Sequence, residues 1–114
     1  MTRRPYIPDR GDIVWLNFDP QSGHEQKGKR PALVLSPKDY NQKSSLAVFC
    51  PVTSKVKGYP FEVLLKGRKI KGAVLSDQVR SLDWSVRGAE FIEKANSTAL
   101  TEVQENLNLL LFTS

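Results

Sequence analysis

The 114-residue chain contains one cysteine, one histidine and one methionine. A lone Cys50 cannot close an internal disulfide. Its place inside the apolar run LAVFCPV predicts a small buried hydrophobe, with a reactive thiol as the second reading; a reducing cytoplasm fits either. One His and one Cys without clustered carboxylates are too few ligands for zinc, and a Mg²⁺ site would need carboxylates from distant positions. A Ser-His-Asp triad would have only His24 to draw on, and no G-x-S-x-G elbow exists. Neither metal nor cofactor is expected. No apolar run approaches the roughly 18 residues of a membrane helix, and the basic start MTRRPYIPDRGD has no apolar stretch behind it. The expectation is a cytoplasmic protein with neither leader nor membrane span. Internal repeats, linkers and low-complexity stretches are lacking too, which predicts a single domain over residues 1–114.

Basic charge is what the chain has in excess. Seventeen Lys and Arg against twelve Asp and Glu give +5 at neutral pH. Such a surplus suits a polyanion, usually a nucleic acid, or serves solubility alone. The stretch GHEQKGKR, residues 23–30, has the G-x-x-x-x-G-K spacing of a phosphate-binding loop. Arg30 stands where that chemistry needs a Ser or Thr for Mg²⁺, and a strand-like PALVLS follows where a helix is required. The nucleotide reading therefore fails.

Apolar and β-branched runs predict strands at DIVWLNF (12–18), PALVLS (31–36), SLAVFCPV (45–52), PFEVLLK (60–66), AVLS (73–76) and GAEFIEKA (88–95). SPKDYN predicts a one-turn helix with Ser36 as N-cap and Pro37 in its first position. Only the end of the chain has a helical period: Leu100, Val103, Leu107, Leu110 and Leu111, with Thr98 as N-cap and Glu102 in the first turn. Five to seven short strands and one C-terminal helix predict a mainly β fold with short helices, a small barrel or a pair of curled sheets.

Two polar loops remain as sources of chemistry. One carries His24, Glu25, Lys27, Lys29 and Arg30; the other carries Thr53, Ser54, Lys55 and Lys57. If strands two and three pair antiparallel, the loop before one and the loop after the other open on the same sheet edge. Arg30 and Thr53 then flank one spot among four lysines, a phosphate site with the fixed fork of a guanidinium. The alternative is two solvated basic loops that never meet. Trp15, on the first strand, either packs in the core or stacks on an unpaired base. Trp84 is read as a core or dimer contact.

Three stretches in order carry a resemblance: GDIVWLNFDPQSGHEQKGKRPALVLSP, CPVTSKVKGYPFEV and GAVLSDQVRSLDW. From Asp9 to about Leu111 the chain resembles the MazF/PemK/Kid family of toxin endoribonucleases. The resemblance implies an SH3-like barrel (Kid/MazF/CcdB-like) closed by a C-terminal helix. It further implies a homodimer, metal-independent cleavage of single-stranded RNA at short motifs, and neutralisation by a cognate acidic antitoxin. Operator DNA would be bound only as the complex with that antitoxin. By position, the family's essential arginine falls on Arg30, its essential threonine on Thr53 and its loop glutamate on Glu25. Asp77 and Gln78 match the DQ pair the family holds near RNA. The chain departs from many relatives at Asn17, where they carry an acidic residue.

Cleavage without metal uses the neighbouring 2′-OH as nucleophile. It needs a base, stabilisation of the dianionic phosphorane and a proton for the leaving 5′-oxygen. Arg30 suits the second task, and Thr53 can fix the phosphate or the 2′-OH by hydrogen bonds. Glu25 and His24 are the local candidates for the base, and Glu25 could equally orient Arg30. His24, Lys27, Lys29, Lys55, Lys57, Asp77, Gln78 and Trp15 are expected to contact RNA. Two other classes stay open: a CcdB-like toxin that binds gyrase, and a nucleic-acid-binding module without catalysis.

Overall fold

The computed structural model describes residues 5–19 and 28–113. His24, Glu25 and Lys27 lie outside these described residues. The elements in chain order are β1 (Asp12–Asn17), β2 (Lys29–Val34), α1 (Lys38–Ser44), β3 (Leu46–Thr53), β4 (Glu62–Lys66) and β5 (Lys71–Leu75). A 3-10 turn (Ser76–Gln78), β6 (Arg80–Asp83), β7 (Glu90–Lys94) and α2 (Ser97–Phe112) follow. The strands form one seven-stranded antiparallel sheet in the order β4-β5-β3-β2-β1-β7, with β6 attached to β3 off this path. The sheet curls into a half-barrel, the architecture that the resemblance implies.

The central strands β1, β2 and β3 bury both faces, which is why they read as continuous apolar runs rather than alternating ones. One face contributes Ile13, Leu33, Cys50 and Val52 to a core completed by Val63, Val74 and, from α2, Ala99 and Val103. The other face presents Val14, Leu16, Ala32, Val34 and Phe49 to a second core, covered by Tyr6, Phe18 and Trp84. The edge strand β4 alternates buried and exposed positions.

Strands β4 and β7 stand at opposite ends of the order, and a side chain ties them together. The Glu93 carboxylate of β7 accepts hydrogen bonds from the backbone N–H groups of Arg68, Lys69 and Ile70, in the turn between β4 and β5. A Cβ on Gly67 would meet Glu93 Oε2 at 2.2 Å, so this close approach requires glycine. Burial raises the Glu93 pKa, and the N–H groups of Ile70, Lys69 and Arg68 more than reverse this, so the carboxyl sits below its ordinary range.

Four details differ from the sequence reading. Strand β6 (RSLD) was not expected, because a single apolar residue, Leu82, carries its pattern. Helix α1 is seven residues long and its N-cap is Pro37, not Ser36. The Ser36 hydroxyl instead donates to Oδ1 of the fully buried Asn41 (2.6 Å) and accepts from the Val48 N–H (2.8 Å). Helix α2 begins earlier than expected: Asn96 rather than Thr98 caps it, accepting from the Ala99 N–H at 2.8 Å, and no acidic residue lies in its first turn. Leu110 and Leu111 are exposed although they fit the helical period.

Candidate active site

Antiparallel pairing of β2 with β3 matches Ala32 to Pro51. Continuing that register toward the start of β2 sets Arg30 opposite Thr53. Both residues line one cavity of about 420 Å³ together with Trp15, Pro31, Val52 and Ser54, and with Lys55, Lys69, Ile70 and Lys71. The curl of the sheet produces this meeting. Strand β3 pairs β2 along one side, and its last residues, Val52 and Thr53, pair β5 along the other. The β4–β5 turn thereby brings Lys69 and Lys71 over the β2–β3 edge.

Thr53 is held tightly. Its Oγ1 accepts the backbone N–H of Lys55 at 3.1 Å, which leaves the hydroxyl proton free to donate to a ligand. Behind it the β5 backbone comes so close that a Cβ on Gly72, whose φ is +152°, would stand 2.1 Å from the Thr53 carbonyl oxygen. Arg30 is partly buried, with its guanidinium 5.7 Å from the centre of the Phe18 ring. Arg80 of β6 lies 5.8 Å from the same ring, so one aromatic side chain positions two cations. Arg87 stiffens the end of β1 by donating to the carbonyls of Asn17 (3.3 Å) and Phe18 (3.0 Å).

A second cavity, about 330 Å³, adjoins the first through Thr53 and Lys55. Lys57, Asp77 and Gln78 line it, as do Tyr59, Phe61, Glu62 and Leu75. The Glu62 carboxylate accepts from the N–H groups of Lys57 (3.1 Å) and Gly58 (2.9 Å) and so orders the basic loop. The Lys57 ammonium rests 5.9 Å from the centre of the Tyr59 ring.

The expected ring of four lysines is corrected on two counts. Lys29 pairs with Glu90 at 2.7 Å and lines neither cavity, because β7 pairs β1 beside it and sets Glu90 opposite Trp15. Lys57 belongs to the second cavity, leaving Lys55 with Lys69 and Lys71 around Arg30 and Thr53. Sequence reasoning missed Lys69, Lys71, Arg80, Tyr59 and Phe61. The glycine-flanked GRKIKG turn and the aromatics of GYPF were the available signals. Trp15 is 38% exposed and lines the first cavity, whereas Trp84 packs on the second core and donates from Nε1 to the Asn41 carbonyl (2.9 Å). Cys50 is buried; burial first and the Asp77 charge second push its thiol up to about 12, so it is no nucleophile at neutral pH. Among the described residues, no three His, Cys, Asp or Glu side chains gather where one ion could be held.

A curled β half-barrel with an arginine and a threonine converging in a lysine-rich cleft defines a small basic domain equipped to hold a phosphodiester. The family model for PemK-like, MazF-like toxins of type II toxin-antitoxin systems matches residues 9–111, and the chain belongs to this family. It is 44% identical over 106 residues to the endoribonuclease toxin MazF of Escherichia coli K12, covering 93% of this chain and 96% of that protein. A crystal structure of MazF from Deinococcus radiodurans superposes with a TM-score of 0.85 at 55% identity, over 94% of this chain and 98% of that one. A MazE–MazF crystal structure from the same organism matches with a TM-score of 0.85 at 49% identity, over 96% of this chain and all of that one.

Proposed function

We propose that this chain is a toxin endoribonuclease, a single domain that cleaves single-stranded RNA by attack of the 2′-OH on the adjacent phosphorus, without a metal ion. The observation that carries the reading is the convergence of Arg30 and Thr53 on one cavity among Lys55, Lys69 and Lys71. Arg30, always charged, grips two phosphoryl oxygens and holds them more strongly as negative charge builds toward the phosphorane. Thr53 donates its free hydroxyl proton to the same phosphate. Glu25, on the stretch leading to Arg30, removes the 2′-OH proton or orients the guanidinium, with His24 as the other local base. The 5′-oxygen leaves with a proton supplied by Arg30 or solvent water, giving a 5′-OH product and a 2′,3′-cyclic phosphate that a water molecule can open to the 3′-phosphate.

The second cavity supplies recognition. Tyr59 and Phe61 offer faces for a base, and Asp77 and Gln78 offer groups for its polar edge. Lys27, Lys29, Lys55 and Lys57 hold flanking phosphates, Lys29 by exchanging its Glu90 partner. A cognate acidic antitoxin covers the same basic cleft, consistent with the MazE–MazF complex of the relative. A second copy covers the exposed apolar end of α2, where Leu109, Leu111 and Phe112 face outward. Operator DNA is bound only with the antitoxin, and the toxin acts in the cytoplasm. No helix among the described residues is long and apolar enough to cross a membrane.

The test is purified protein with mixed-sequence RNA in excess EDTA. Cleavage leaving 5′-OH ends is expected, and a 2′-deoxy substitution at the scissile position should abolish it. Ends bearing 5′-phosphate would overturn the 2′-OH mechanism. Bound but intact RNA would make the protein a binding module, and gyrase inhibition without RNA contact would make it a CcdB-like toxin.

A further inference from the structure

A third cavity, of about 480 Å³, lies on the far side of the β4–β5 turn. Its lining includes Lys66, Arg68, Lys69, Phe91 and Lys94, and Lys69 also lines the cavity that holds Arg30 and Thr53. The turn is therefore a low ridge with a lysine on its crest, basic on both slopes. Neither Lys66 nor Arg68 has an ion-pair partner among the described residues, and both side chains are exposed. Glu93, the acidic group in the cavity, accepts hydrogen bonds from the backbone N–H groups of residues 68–70 and so holds the ridge in place. Phe91 is half exposed.

We infer that this third cavity is an extension of the RNA-binding track, taking the phosphodiester backbone of nucleotides that leave the cleavage site across Lys69. The inference rests on the proposed ribonuclease reading. Cations spaced along a groove beside the half-exposed Phe91, whose ring also packs on Tyr6 with centres 5.8 Å apart, match the backbone and bases of a single strand. An acidic peptide would use the cations and leave the aromatic face idle. Lys66 and Arg68 project from either side of Gly67, and their charges act on a flanking phosphate outside the reacting group. They add affinity and salt dependence to substrates long enough to reach them.

The experiment compares uncleavable 2′-O-methyl single strands of mixed sequence, about 6 and about 20 nucleotides long, binding to the intact protein and to Lys66→Gln/Arg68→Gln. Anisotropy titrations across a salt series give affinity and salt slope. The wild type should favour the long strand. The double variant should lose several-fold of that preference, with a salt slope for the long strand shallower by about 1.4, roughly 0.7 per lost contact. Arg68→Gln alone should give about half of that change in slope. An unchanged preference and slope in both variants would overturn the inference while leaving the ribonuclease reading intact. So would a double variant that loses affinity for a Glu-rich peptide yet keeps its preference for long RNA, since the patch would then serve a protein partner. A wild type that binds neither strand would overturn the ribonuclease reading, and the inference with it.

Discussion

The two cavities that meet at Thr53 and Lys55 are made of different materials. Around Arg30 the lining is cationic and, among the described residues, carries no carboxylate; around Tyr59 it combines aromatic faces with Glu62 and Asp77. A phosphate, with its charge spread over fixed oxygens, suits the first. A base, flat and uncharged with polar edges, suits the second. The proposed ribonuclease reading would then divide the labour within one groove: side chains of the first cavity would govern the rate of the chemical step, and those of the second which RNA is held and how tightly.

The largest expected effect tests the first half of this division. Arg30→Ala should lower the single-turnover cleavage rate by about 10²–10³, the usual loss of one transition-state donor, while RNA affinity stays within a few-fold. Equal losses in affinity and rate would erase the distinction between the cavities. Gly72→Ala attacks the same site from behind. Its methyl would drive β5 off the Thr53 carbonyl, at an expected cost of about 2 kcal/mol in stability. Residual activity should fall below what the folded fraction accounts for, as read by thermal melts beside cleavage rates.

Tyr59→Ala addresses the other half. Loss of a stacking platform should weaken RNA binding by roughly tenfold, within the about 1–3 kcal/mol typical per base. Cleavage at saturating RNA should keep its rate, and a fall in that rate would move Tyr59 to the chemical side. Lys55 belongs to both linings. Lys55→Ala should cost a few-fold in affinity and make the salt slope shallower by about 0.7.

The smallest effect concerns pH. Glu93 holds the lysine-bearing turn, and its folded pKa lies below the ordinary carboxyl value. Its contribution is therefore complete above the unfolded value of about 4.3 and is lost as pH falls through the lower folded one. Glu93→Gln should melt below wild type at neutral pH, with the two converging in acid. A difference in melting temperature that is constant with pH would detach the effect from the carboxylate's charge.

Much of this was legible before any coordinates. Strands β1 to β3 announce themselves because runs such as IVWL and AVFCPV have no stable place except between two buried faces, and β4, β5 and β7 through the shorter apolar stretches VLL, AVL and FI. Strand β6 does not, since RSLD offers one buried side chain and takes its pairing from β3. Thr98 is the cap expected from the sequence, and the structure gives that place to Asn96, whose side chain accepts from the Ala99 N–H. Arg30 and Thr53 could be paired on paper because both sit at strand ends whose antiparallel register is short and local. Lys69 and Lys71 could not, because their position depends on β3 changing partners from β6 to β5 partway along its length.

The amino-acid sequence by itself determined the residue types: an excess of cations, too few metal ligands, one arginine before a strand and one threonine after another, and a strand-rich pattern ending in a helix. These follow from local periodicity and composition, which need no knowledge of distant contacts. Only the tertiary structure decided which cations share a cavity with those two residues, that Lys29 is occupied by Glu90, and that Glu93 binds the two ends of the sheet. Those outcomes depend on the curl of the sheet, and curl is a property of all seven strands packed together around two cores.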